Sequence, residues 1–137
     1  MKLELKHLAP YLPFELQIEH PTMLVGKREI SELRNLGQTN IEVSHRLYVQ
    51  ISNCKPILRP ISDLTIKQTI EFYYLSSLDL EIIDINQWHL ELIEELKTNQ
   101  KFQLSQFNKL FKWHFDVFDL ISKDLAVSIH DVGQVIA

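Results

Sequence analysis

Two Trp-His pairs, "WHLE" at 88–91 and "WHFD" at 113–116, contain the residue types that most invite chemistry. A histidine beside a carboxylate can hold a metal ion or exchange protons near neutral pH. A helical metal site, however, needs two ligands three or four residues apart, and neither pair has that spacing. On one helix, His114 and Asp116 would lie about 200° apart. We therefore predict structural roles for His89 and His114, with His114 a buried neutral ring that has one hydrogen-bonded nitrogen.

The remaining reactive residues also fail to form a catalytic set. Cys54, the single cysteine, is expected to be a buried bystander thiol. The Glu-x-Lys in "EELK" lies within a predicted helix, whereas the nuclease signature that it resembles needs strand ends. The chain has no "GxSxG", "GxGxxG" or "GKT" motif. We predict no catalytic residue, no cofactor and no metal, and hence a non-enzymatic protein. An unrecognised hydrolase site around His89 and Glu91 stays an alternative.

Charge is distributed unevenly along the chain. The net charge is −4 for 137 residues, but residues 1–61 carry a net +2 and residues 62–137 a net −6. Between residues 79 and 95 there are six acids and no base, including Glu91, Glu94 and Glu95. A chain that is acidic overall is a poor general binder of nucleic acid. It can still present an acidic face to a basic partner, so these three glutamates are candidate binding residues.

The cations of the first half are the second candidate surface. Four of them, among Tyr11, Phe14 and Tyr48, are candidate binding residues: Arg28, Arg46, Lys55 and Arg59. Arginines on strands beside exposed aromatic rings are one way to bind RNA or single strands. This pattern supports an RNA-binding module as an alternative function.

Strand signals dominate the part of the chain before residue 61. The segment "FELQIEH" alternates apolar and polar residues, which is typical of a half-buried strand. "REISEL" and "NIEVSHRLYVQI" are predicted strands joined by "RNLGQT", in which Gly37 is expected to take a positive φ. The preceding "LKHLAPYLP" predicts a short helical turn that its prolines stop.

Helix signals dominate the part that follows. Ser62 or Asp63 is a predicted N-cap, and Asp84 caps a helix over 84–99. The strongest predicted helix runs through "LSQFNKLFKWHFDVFDLI", residues 104–121, and is expected to be the centre of the core. Phe107→Ala, Phe111→Ala and Phe118→Ala are each expected to cost about 3–5 kcal/mol. "SSLDLEII" is ambiguous between loop and strand, and "LAVSIHDV" predicts a last strand.

The fold class that these elements predict is α+β. A small antiparallel sheet of three or four strands in the N-terminal half packs against two or three C-terminal helices. We predict a single domain over 1–137, mainly β over 1–61 and mainly α over 62–137. One cysteine, no signal peptide and no apolar run of 18 residues predict a cytoplasmic protein with no membrane span.

The segment "CKPILRPISDL", residues 54–64, joins the two halves. Lys55 and Arg59 each precede a proline, which favours extended backbone. Since Pro56 and Pro60 cannot donate hydrogen bonds, we predict an edge or crossing segment that presents Lys55 and Arg59 along one side.

This segment and "KWHFDVFDLISKDLAVSI", residues 112–129, resemble small proteins of phages, prophages and related mobile elements. Those proteins carry "KPILRPLSDL"-like and "WHFDVFGLI"-like segments in the same order. This chain has Ile61 in place of the usual leucine, and Asp119 and Asp124 where glycine is common. The family has no assigned activity. The resemblance implies a small accessory protein, in the host cell cytoplasm, that binds a host protein or ribonucleoprotein complex. The leading hypothesis is an inhibitor of a host defence effector, such as an RNA-guided nuclease. The alternative is an RNA-binding or phage-replication accessory module.

Overall fold

The computed structural model describes residues 2–22, 26–43, 47–98 and 101–132. Its sheet contains β1 (Gln17–Pro21), β2 (Arg28–Leu36), β3 (Asn40–Val43), β4 (Leu47–Gln50), β5 (Lys55–Leu58) and β6 (Val127–Ser128). The strands lie in the order β4-β3-β2-β1-β5-β6, and only β5 and β6 pair in parallel within the described residues. The α+β class is confirmed. The expected antiparallel sheet of three or four strands is instead a mixed sheet of six.

One predicted strand is in fact a hairpin. "NIEVSHRLYVQI" provides both β3 and β4, with Ile41 opposite Val49 and Val43 opposite Leu47. Residues directly opposite each other in an antiparallel pair point to the same face. The apolar alternation therefore continues through the hairpin, which made the segment resemble one strand. Gly37 does not have the expected positive φ, which Gly26 adopts instead, at 78°.

Five helices accompany the sheet in the described residues: α1 (Leu5–Leu8), α2 (Ile66–Phe72), α3 (Ser77–Ile82), α4 (Ile85–Thr98) and α5 (Leu104–Lys112). A 3-10 helix over Ala9–Phe14 follows α1 and contains both prolines of that segment. The predicted cap at Ser62 or Asp63 is wrong, because Thr65 caps α2 by accepting from the Gln68 amide at 3.1 Å. Asp84 accepts from the Asn86 amide at the start of α4, as expected.

The predicted central helix is much shorter than expected. It ends at Lys112, and His114, Asp119 and Asp124 then adopt left-handed φ values of 63°, 56° and 58°. The left-handed region favours glycine, and none of these three residues is glycine. Phe107, within α5, and Phe118, beyond its end, are only half-buried.

The hydrophobic core is centred on other aromatic residues. Tyr11, Phe72 and Phe115 are its largest fully buried side chains. The Tyr11 hydroxyl donates to the Phe115 carbonyl at 2.5 Å, and the Val117 amide donates to the same hydroxyl at 3.3 Å. Because a buried hydroxyl needs partners, these bonds hold the first 3-10 helix against the loop after α5.

The "CKPILRPISDL" segment is not at the edge of the sheet. Its strand β5 lies between β1 and β6, in a staggered arrangement. β1 pairs with Lys55 and Pro56, whereas β6 pairs with Ile57 and Leu58. Pro56 therefore precedes the part of β5 that pairs with β6, which explains how an inner strand accommodates a residue without an amide hydrogen.

Two further expectations concern the whole chain. No described helix has the length and apolar character needed to cross a membrane. The single-domain organisation stays a prediction. The division into halves is only approximate, since α1 precedes the first strand and β6 comes from residues 127–128.

Candidate functional site

Residues 54–64 lie beside residues 112–129 in the structure. Arg59, just after β5, forms a parallel bridge with Phe115. The Arg59 amide donates to the His114 carbonyl at 2.8 Å, and the Asp116 amide donates to the Arg59 carbonyl at 2.9 Å. Residues that are more than 50 positions apart in sequence thus share one short backbone ladder.

This ladder forms part of the wall of a cleft of about 370 Å³, which we call the Arg59 cleft. Its lining includes Arg59, Asp63, Thr65, Lys112, Trp113 and His114. Arg59 and Lys112 are exposed, and neither has an ion-pair partner among the described residues. Asp63 is paired with His130, whose Nε2 lies 2.5 Å from its carboxylate.

The two candidate histidines have structural partners. Nε2 of His114 lies 2.5 Å from the Phe14 carbonyl, and Nε2 of His89 lies 2.5 Å from the Leu64 carbonyl. Both are half-buried, so His114 has the expected hydrogen bond without the expected full burial. His89 and Glu91 do not form a site together, because the exposed Glu91 accepts from the Gln87 side chain at 3.0 Å.

The three candidate cations within the described residues line two different pockets. The Arg28 guanidinium pairs with the buried Glu19 carboxylate and donates to the Asn53 carbonyl at 2.7 Å. Lys55 pairs with Asp124 at 2.9 Å. Arg28 and Lys55 line a pocket of about 470 Å³, whereas Arg59 lines a different cleft. The expectation of Lys55 and Arg59 along one shared edge is therefore wrong. Arg46 lies outside the described residues.

The acidic stretch forms two exposed surfaces. On α4, Glu91, Glu94 and Glu95 are exposed, as predicted. The preceding "SSLDLEII" segment, which was expected to be loop or strand, is helix α3. A capping box stabilises α3, since the Ser76 amide donates to the Asp79 carboxylate at 2.8 Å and the Asp79 amide donates to the Ser76 hydroxyl at 3.2 Å. The hydrogen bonds that the Ser76 amide and the Ser76 hydroxyl donate to the Asp79 carboxylate hold the pKa of this carboxyl below its usual value.

Helix α3 directs apolar side chains into solvent. Leu78 is 69% exposed and Ile82 is 84% exposed, and the i, i+4 spacing places them on one side of the helix. Glu81 lies between them and Asp84 follows, both exposed. We call Leu78, Glu81, Ile82 and Asp84 the α3 ridge. The sequence contained one usable signal for this helix, the Ser-x-x-Asp capping box at 76–79.

Two other titratable groups have structural environments. The buried Asp116 carboxylate accepts from the Leu120 and Ile121 amides at 2.7 and 2.9 Å, and burial raises its pKa. Cys54 is buried, and its thiol donates to the Gln50 carbonyl at 3.2 Å. In the described part of the chain, no three His, Cys, Asp or Glu side chains are grouped so as to hold a metal ion.

Cys54 is expected to react slowly in the folded protein. Burial raises the pKa of its thiol from 9.0 to about 11, which lowers the thiolate fraction at pH 8 by about 100-fold. Iodoacetamide labelling at pH 8, followed by mass spectrometry, should therefore be about 100-fold slower than for the same chain in urea. Equal rates in the folded and unfolded chain would contradict this environment.

The comparisons with known proteins found no relative. No family model, no curated protein and no solved structure matches the chain.

Proposed function

We propose that this chain is a small, non-enzymatic interaction protein of a phage or mobile element. In this proposal it inhibits a host defence effector of the RNA-guided nuclease type, as anti-CRISPR proteins do, by docking its α3 ridge onto a basic surface. The observation that carries the proposal is the outward-facing apolar side of α3, with Leu78 69% and Ile82 84% exposed.

The α3 ridge has the composition of a contact surface rather than of an ordinary solvated helix. Single exposed apolar residues are common, but two adjacent ones flanked by Glu81 and Asp84 form an apolar centre with a charged border. Burying such a centre against a partner releases ordered water, while the acids at the border select the charge of that partner. The partner that fits is a protein with an apolar groove bordered by Lys or Arg.

The charge of the ridge favours a nucleic-acid-binding partner. Proteins that hold nucleic acids carry basic grooves that neutralise phosphates. Six acids without a base between residues 79 and 95 offer such a groove negative charge in place of phosphate. Glu91, Glu94 and Glu95 on α4 extend the acidic surface beyond the ridge.

The negative charge of the α3 ridge disfavours a second copy of the chain as its binding partner. A two-fold interface through the ridge would bring Glu81 and Asp84 close to their own copies, and apposed like charges are destabilising. The RNA-binding alternative also receives less support, because Arg28 and Lys55 are already paired with carboxylates.

The α3 ridge is tested by the double variant Leu78→Ser/Ile82→Ser. Both side chains are exposed, so the free energy of unfolding should change by only about 0.5 kcal/mol per site. Truncating two anchor residues should weaken binding roughly ten-fold or more. The measurement is plasmid interference in cells with an active RNA-guided nuclease, where the wild-type chain should restore transformation and the double variant should not.

Leu104→Ser is the matched control, because Leu104 is 75% exposed but lies on α5. It should inhibit as well as wild type. If the ridge variant inhibits fully, the ridge is not the contact surface. A wild-type chain that leaves interference intact would remove the defence-inhibitor function. In that case, pull-down with nuclease-treated lysate, comparing wild type with the ridge variant, tests the broader interaction function separately.

A further inference from the structure

We propose that the Arg59 cleft is a binding site for a small phosphate-bearing ligand of the nucleoside monophosphate class. This proposal is independent of the function proposed for the α3 ridge, because the cleft is built by residues 59–68 and 112–115 and contains no ridge residue.

The charges in the cleft are arranged to attract an anion. Arg59 approaches from the end of β5 and Lys112 from the last turn of α5. No carboxylate among the described residues pairs with either cation, in contrast to Arg28 and Lys55. The single acid in the lining, Asp63, has His130 as its partner at 2.5 Å. Two uncommitted cations at one concave surface form a site for phosphate, which an arginine guanidinium can bind through two parallel hydrogen bonds.

Other lining groups suit the remainder of a nucleotide. Thr65 Oγ1 accepts from the Gln68 amide at 3.1 Å, so its O–H hydrogen is available to a ligand oxygen. Trp113 is half-buried at the cleft wall, and an indole offers a flat face on which a base can stack. The volume of about 370 Å³ falls in the range of small-molecule sites and is too small for a folded partner segment.

The cleft is also held rigidly. The backbone of Arg59 is bonded on both sides, to the His114 carbonyl and the Asp116 amide. The His114 ring is bonded through Nε2 to the Phe14 carbonyl at 2.5 Å, and its backbone has a left-handed φ of 63°. A preorganised site loses less entropy when a ligand binds. His114, whose backbone is left-handed, therefore lines the cleft. Binding sites are common places for such conformations.

A free nucleotide fits this surface better than an extended strand. A strand needs a continuous track of cations, and strand binding grows stronger as more phosphates are neutralised. Lys55, at the opposite end of β5, is paired with Asp124 and so does not extend the two cleft cations into a track. The net charge of −4 opposes a long polyanion more than it opposes one phosphate.

The test is isothermal titration calorimetry of the full chain with adenosine monophosphate, inorganic phosphate and a ten-nucleotide RNA. Adenosine monophosphate should bind more tightly than inorganic phosphate, because only the nucleotide can use Trp113. The double variant Arg59→Gln/Lys112→Gln should bind the nucleotide at least about ten-fold more weakly, because it removes two charge-assisted contacts. The indole N–H signal of Trp113 in an NMR spectrum should shift on nucleotide addition in wild type only.

Arg34→Gln/Lys101→Gln is the charge-matched control, since both residues are exposed and lie outside the cleft lining. It should change the nucleotide affinity by less than about two-fold. Circular dichroism melts check that both double variants fold. The proposal is overturned if wild type shows no heat with millimolar nucleotide, or if the control loses as much affinity as the cleft variant. Binding of the RNA without the mononucleotide would also overturn it, in favour of a strand-binding surface.

Discussion

Phe115→Ala is expected to lower the free energy of unfolding by about 3–5 kcal/mol, the usual cost of truncating a buried aromatic side chain. The Phe115 ring is fully buried, and the Trp113 ring packs against it edge-on at 6.4 Å between centroids. Its backbone carries the Tyr11 hydrogen bond and the bridge to Arg59. A cavity at this position would weaken the packing of the loop after α5 against the sheet. Urea unfolding followed by circular dichroism measures the loss.

Leu104→Ala is the control, and its exposed side chain should cost no more than about 0.5 kcal/mol. Phe111→Ala is expected to approach the Phe115→Ala value, because Phe111 is buried and packs edge-on against Tyr11 at 4.9 Å. The half-buried Phe107 and Phe118 should each cost less, which revises the equal losses that helical periodicity predicts. An unfolding midpoint of Phe115→Ala within error of wild type would contradict this description of the core.

Arg28→Met is expected to destabilise the protein by about 3 kcal/mol. The Glu19 side chain is only 4% exposed, and its carboxylate is neutralised by the guanidinium of Arg28, whose side chain is 39% exposed. Removing the guanidinium leaves a buried charge without a counter-ion, and that penalty is larger than the loss of one surface contact. Because Arg28 is partly exposed, the expected loss of stability is at the lower end of the range for breaking a buried ion pair. The measurement is again the free energy of unfolding in urea.

The double variant Glu19→Gln/Arg28→Met separates the buried charge from the lost contact. Because it removes both charges, it should recover at least half of the stability that Arg28→Met loses. A fully stable Arg28→Met variant would mean that Arg28 is not needed for folding, and would return it to the set of candidate binding residues. Conversely, the expected loss of stability would assign Arg28 a structural role, so its presence in the basic half of the chain would not imply contact with a partner.

The α3 ridge and the Arg59 cleft illustrate what local pattern can and cannot predict. Sequence periodicity identified helix α4 and its outward glutamates, because the 3.6-residue repeat and the Asp84 cap are local signals. It missed α3, since a six-residue helix shows too few turns for a periodic signal. It also predicted that α5 continues past Lys112. The helical spacing of apolar residues persists there, and this spacing does not reveal that some of the residues have a left-handed backbone.

Four features were predictable without coordinates: the α+β class, the uneven charge, the hydrogen-bonded role of His114 and the acidic face of α4. These depend on composition and on contacts between near neighbours in the chain, or on the general need of buried polar groups for partners. Which of the described cations lack an ion-pair partner became clear only from the folded arrangement of the chain. Lys55 meets Asp124 and Arg28 meets Glu19, whereas Arg59 faces a cleft with Lys112. Pairing between residues far apart in sequence depends on how strands and loops are brought together, and periodicity carries no information about that arrangement.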